Sequence, residues 1–306
     1  MRLLASFAMR GRSQAVMAAS VLAILALPMP PLSILSAAVI GLVTLRKGLQ
    51  EGMLTLVLSG LACALLALLL FSQTLTIIGY VLLMWVPIWL LGGVLRSYPA
   101  LGLALTVALL LGLLAILGQY LQSQDPAEAW QTVLKPFIDS LVESQLVQPD
   151  VSGQLLAAMS TWMPGAIAAG FLLQAMAALF LARWWQALLY NPGGFAAEFH
   201  QLRLPRVVAV VTLVVGAFLW LVPELKLVTY VATLLLAGWV IQGIALAHGL
   251  RSQLGLNTLW LVVMYALLFF AMPYVTGFLA FAGFTDAWID FRARLRSSGN
   301  SANRAD

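Results

Sequence analysis

Two glutamines lie where this sequence leaves little else to do chemistry. Gln174 and Gln242 each sit inside a long apolar run. An amide offers two N–H donors and an acceptor oxygen, so in apolar surroundings it either bonds across to a neighbouring helix or holds a polar solute. Interhelical bonding is the simpler use and ligand binding the sharper one. The two histidines, His200 and His248, fall at the ends of different apolar segments, and Glu198 is the one acid close in sequence to either. A hydrolase of the serine type needs a serine beside the imidazole and a carboxylate behind it. Two residues along an irregular loop supply neither, so a structural or interfacial role is the simpler reading.

The exclusions are sharper. The middle of every apolar segment lacks Asp, Glu, Lys, Arg and His. Buried ionisable groups mark proton relays, voltage sensors and ion paths, because charge at the bilayer centre is costly without a functional need. HExxH, P-loop and dinucleotide-type glycine motifs are all missing. The lone Cys63 provides no disulfide framework and no cysteine-type metal site. The reading is therefore of a protein that is not an enzyme, with no metal and no cofactor.

Composition explains the elements that position these side chains. Of 306 residues, 62% are hydrophobic and 9% charged, with a mean hydropathy of +0.99. A soluble domain carries about 25% charged residues, so lipid is the expected solvent. The fold class that follows is all-α: a polytopic transmembrane helix bundle. Sixteen basic residues face eleven acidic ones, without the clustered basic face that nucleic acid would require.

Apolar segments run at 14–27, 31–45, 53–71, 75–95, 99–121, 157–182, 206–222, 226–247, 256–271 and 274–284. Prolines 28, 30, 31 and 273 separate the two short pairs, which are either thin crossings or re-entrant hairpins, giving about eight to ten membrane segments in all. With both termini cytoplasmic and each pair returning to its own side, fourteen of the sixteen basic residues face inward and only Lys135 and Lys226 face out. Arg2, Arg10 and Arg12 then flank a first membrane helix rather than a cleaved signal.

Three polar stretches complete the organisation. Residues 122–154 form an extracytoplasmic insertion in which Trp130, Leu134, Phe137, Ile138, Leu141 and Val142 recur at helical spacing, predicting an amphipathic helix that caps the bundle. The cytoplasmic loop 183–206, RWWQALLYNPGGFAAEFHQLRLPR, offers Trp184 and Trp185 to an aromatic belt. Asn191, Gly193 and Gly194 make a turn, and Glu198, His200 and Arg203 add a polar set. Its sharper reading is a docking surface for a partner. After a bundle spanning 1–285, residues 286–306 are expected to form a cytoplasmic amphipathic helix, N-capped by Thr285, and a disordered tail.

On the first segment Ala15, Ala19 and Ala23 repeat every four residues, a spacing that lets helices approach closely in lipid. Together with RWWQALLYNPGGF and the closing GFTDAWIDFRARLR, the chain resembles the YybS-like bacterial membrane proteins, a family of unknown function. That family is distantly similar to the substrate-binding S components of energy-coupling-factor transporters, in which an alanine at every fourth position of the first helix packs on the coupling subunit. The resemblance implies a small-solute-binding transport protein of the bacterial cytoplasmic (inner) membrane, served by a separate ATPase module through Ala15, Ala19 and Ala23. The alternative is a noncatalytic scaffold that recruits envelope or division proteins through the 183–206 loop. The extra segments and the outer insertion depart from an S component.

Overall fold

A computed structural model describes residues 1–70 and 74–295. The expected tail, with Arg296 and Arg304, lies outside the described residues. Among those described the chain is all-helical: α1 Arg2–Met9, α2 Arg12–Leu25, α3 Leu32–Lys47, α4 Leu49–Leu70, α5 Thr74–Ser97, α6 Leu101–Gln122, α7 Pro126–Glu143, α8 Pro149–Tyr190, α9 Gly194–Phe199, α10 Arg206–Leu221, α11 Lys226–Gln253, α12 Leu259–Phe270 and α13 Met272–Ile289. Four stretches, Leu49–Leu69, α6, α8 and α11, are long and apolar enough to cross a membrane.

The chain divides into two compact units. Unit 1 comprises Met1–Ala108, Leu173–Arg203 and His248–Ser252; unit 2 comprises Leu109–Leu172, Leu204–Ala247 and Gln253–Asp306. In unit 1, α3 is the central element, packed by α2, α4 and α5. Every residue from Ser36 to Leu45 is buried, as expected for a helix apolar on all sides. Small residues permit this density: a Cβ on Gly41 would lie 2.9 Å from both the Ala182 and Ile88 side chains.

In unit 2, α7 is the amphipathic helix predicted from spacing. Asp125 caps it, its Oδ1 accepting from the Ala127 N–H at 2.9 Å, and Pro126 occupies the first turn, where its missing N–H costs nothing. Leu134 and Ile138 are buried. Trp130 Nε1 donates to Gln119 Oε1 at 3.1 Å, and Lys226 Nζ meets Asp125 Oδ2 at 2.5 Å, tying α7 to α6 and α11. The helix thus packs on its unit, as expected for a cap. Elsewhere in the unit, α12 and α13 meet at Ala271, whose φ of −121° and ψ of 38° break the helix just ahead of Pro273. The 12-residue α12 buries none of its side chains.

The C-terminal stretch departs from the expected surface helix. α13 runs unbroken through Thr285, whose hydroxyl donates to the Phe281 carbonyl at 2.8 Å, so Thr285 is mid-helix and caps nothing. The helix ends at Asp290, which adopts the left-handed conformation (φ 52°, ψ 66°). This reversal carries Arg292 back onto Asp286, and both side chains are sealed from solvent.

Candidate functional site

The recess with the clearest chemical character lies in unit 1, at the α2–α3 turn. Ala23, Ala26, Ser33, Ser36, Val81, Met84 and Trp85 line about 190 Å³ of atom-free space, open mouth included. The cavity proper measures about 10 Å³, at the threshold for holding one water molecule. No lining residue is ionisable.

Two short hydrogen-bonded chains build its walls. Trp85 Nε1 donates to Ser36 Oγ at 3.0 Å, and Ser36 donates to the Ala19 carbonyl at 2.7 Å. Gln174 Nε2 donates to Ser33 Oγ at 2.8 Å and touches Met84 Sδ, while Ser33 donates to the Pro30 carbonyl at 2.6 Å. The Ala19 carbonyl lies inside α2, and the Pro30 carbonyl, in the turn between α2 and α3, also accepts from the Ser33 N–H at 3.0 Å. Gln174 is half-buried, and its amide oxygen accepts no hydrogen bond among the described residues. Both serine hydroxyls already donate to carbonyls, so an uncharged recess of this size can accept hydrogen bonds only from a water molecule or the tip of a neutral donor.

Gln242, the other glutamine singled out by sequence, belongs to unit 2 and is fully committed there. Its Oε1 accepts from the Leu204 N–H at 2.7 Å; its Nε2 donates to the Gly283 carbonyl at 2.8 Å and to Asp286 Oδ2 at 3.2 Å. Asp286 Oδ2 also accepts from Arg292 Nη2 at 2.5 Å, and its Oδ1 accepts from the Phe291 N–H at 3.2 Å. The amide is therefore a hub joining the 204 loop, α11 and α13. Close backbone approach makes this possible: a Cβ on Gly283 would collide with the Trp239 carbonyl and lie 2.8 Å from the Gly243 nitrogen.

The alanine stripe is already occupied. Ala15, Ala19 and Ala23 are at most 5% exposed, and α2 packs against α3 and α4. Ser20 Oγ reaches the Ser59 carbonyl at 3.3 Å in the same seam. A partner seeking these alanines would first have to displace the chain's own helices.

Of the 183–206 segment, residues 183–203 belong to unit 1 and pack there, while Leu204, Pro205 and Arg206 belong to unit 2. Arg183 clasps Glu198 through both nitrogens, Nε to Oε2 at 2.8 Å and Nη2 to Oε1. Phe199 packs edge-on to Phe180 at 5.2 Å between ring centroids, stacks with Phe195 at 5.7 Å and meets His248 at 5.6 Å. The His200 and His248 rings lie 6.3 Å apart. Trp184 is exposed, but Trp185 is buried and cannot meet an outside partner in this form. Asn191 and Gly193, with Pro192 between them, project to solvent, and Gly193 takes a φ of 86° that disfavours side chains. Gly194, beside the Asn191 side chain, is half-buried, as is Arg203, whose carbonyl seats against Gly102.

The recess is only partly foreshadowed by sequence. Gln174 is visible as a polar interruption, but Ser33, Ser36 and Trp85 are ordinary in segments of that kind and gain meaning only through contacts distant in the chain. No protein-family model, curated protein or solved structure matches this chain.

Proposed function

We propose that this chain is a membrane-embedded binding protein for a small neutral solute that donates hydrogen bonds, working without catalysis of its own and powered by a separate ATPase module. The observation that carries this reading is the spare acceptor of Gln174, whose amide bonds Ser33, one of the residues lining a small uncharged recess. Four helices of spanning length and the inward bias of arginine support placing it in a bacterial inner membrane with both termini cytoplasmic. The covered alanine stripe argues for a different docking surface from that of an S component, and the exposed turn at Asn191–Gly193 is the better candidate.

Native mass spectrometry of the protein in lipid nanodiscs, followed by small-molecule identification, tests this. The wild type should carry a solute that Gln174→Leu lacks while remaining folded by circular dichroism. Equal retention by both removes the recess from consideration. A second reading, a scaffold recruiting envelope or division proteins, draws on the same rigidly held turn. Stoichiometric protein partners lost on replacing Asn191 and Pro192, with no bound solute, would favour it.

A further inference from the structure

Unit 1 contains nine basic residues and only two acidic ones, Glu51 and Glu198. Both acids are spent. Arg12 pairs with Glu51 through Nη2 to Oε1 at 2.7 Å and Nε to Oε2 at 3.2 Å, and Arg183 holds Glu198. Arg46, Lys47 and Arg96 are left exposed; none forms an ion pair with a carboxylate among the described residues, although Lys47 lies within electrostatic reach of Glu51.

These three cations share one end of the unit, where the C-termini of α3, α5 and α8 meet. Arg96 Nη1 donates to the carbonyls of Leu45 at 2.6 Å and Arg46 at 3.0 Å, which caps α3 and fixes the Arg96 guanidinium beside the Arg46–Lys47 backbone. The Arg46 guanidinium lies 4.1 Å over the Tyr190 ring, held flat by cation–π attraction with its N–H edge unused. Gln186 Nε2 approaches the Leu45 carbonyl at 3.4 Å, and Trp89 Nε1 donates to the Leu49 carbonyl at 3.0 Å. Tyr190 and Trp184 are partly exposed nearby on α8. Helix dipoles and the inward bias of arginine account for the sign of this end. They do not require one guanidinium over Tyr190 and a second fixed on the Leu45 and Arg46 carbonyls beside it, with Lys47 next in the chain.

We propose that this end of unit 1 binds the phosphate of one anionic phospholipid headgroup. A planar guanidinium donates two parallel N–H bonds to phosphate oxygens, and an ammonium adds a point charge. Interfacial tyrosine and tryptophan suit the glycerol level of a bilayer. The site lies at the far end of α3 from the recess, because Ser33 and Arg46 are thirteen residues apart on a helix, roughly 20 Å at 1.5 Å per residue.

The test is lipid retention by native mass spectrometry from nanodiscs of mixed phosphatidylglycerol and phosphatidylcholine. Wild type should keep one phosphatidylglycerol in preference to phosphatidylcholine. Retention should fall about fivefold for each cation removed in Lys47→Gln and in Arg46→Gln/Lys47→Gln, which both leave the Arg96 cap in place. Arg206→Gln, the same charge loss in unit 2, should change nothing. The single Lys47→Gln variant decides the matter if the double variant melts. Unchanged retention in these variants, an equal loss in Arg206→Gln, or equal retention of phosphatidylcholine would overturn the proposal. So would stabilisation by millimolar inorganic phosphate matching that by lipid, since the ligand would then be a soluble anion.

Discussion

Gln174 and Gln242 look alike in the sequence, each an amide within an apolar run, yet the two units use them differently. Unit 1 leaves Gln174 half-exposed with an unmatched oxygen beside a recess. Unit 2 seals Gln242 at 0% exposure between a backbone N–H, a backbone carbonyl and the Asp286 carboxylate. The difference follows from what lies nearby. Gln174 faces a serine hydroxyl and a thioether, both neutral, whereas Gln242 lies on a buried carboxylate that must be fully satisfied. Charge divides the same way: unit 1 keeps its excess cations at helix ends, while unit 2 has nine acids against seven basic residues and buries an ion pair. A polar group in apolar surroundings is therefore best sorted by what remains unpaired after the chain has folded.

The contrast breaks most sharply at Arg292. Arg292→Ala strands the Asp286 carboxylate in the interior of unit 2 and should cost about 3–5 kcal/mol, read as a large fall in unfolding midpoint in detergent; Arg292→Ala with Asp286→Leu should recover much of it. The glutamines give the next largest effect. Gln242→Leu leaves the buried Leu204 N–H unmatched and takes one donor from Asp286, about 1–3 kcal/mol, whereas Gln174→Leu forfeits one neutral bond at about 1 kcal/mol. Equal losses in parallel melts would erase the distinction. Gly283→Ala should push α13 from α11 and cost about 1–3 kcal/mol through overpacking, despite alanine's better helix propensity.

The smallest effect is pH-dependent and belongs to α7. The Lys226 ammonium bonded to Asp125, aided by the Ala127 N–H, holds that carboxyl below its ordinary range against the opposing effect of burial. A depressed native pKa means stability that is present above the unfolded value, about 3.9, and lost as pH falls through the lower native one. Between pH 5 and pH 2 the wild type should lose slightly more stability than Asp125→Asn, by a margin reduced because both partners are partly solvated.

Much of the helical layout is legible because apolar runs and proline breaks are local signals. α8 and α11 each contain their predicted segment, α3 and α6 begin one and two residues inside theirs, and α7 follows from three- and four-residue steps. The C-terminal end misled for a physical reason. A surface helix opening at Thr285 assumes an unbroken backbone, but the reversal at Asp290 couples Asp286 to Arg292, six positions on. A hydroxyl at Thr285 reads equally well as a cap or as a mid-helix bond to the preceding turn. For the recess, Gln174 carries a local mark, but Ser33 lies 141 positions away and Met84 lies 90, distances at which one sequence holds no periodicity to read.

α12 has a mechanical consequence. Its 12 residues reach about 18 Å, well short of the roughly 30 Å of hydrocarbon in an ordinary bilayer. A helix of that reach does not cross a bilayer of ordinary thickness by itself; a full passage needs a locally thinned bilayer or the added length of α13 beyond the break at Ala271.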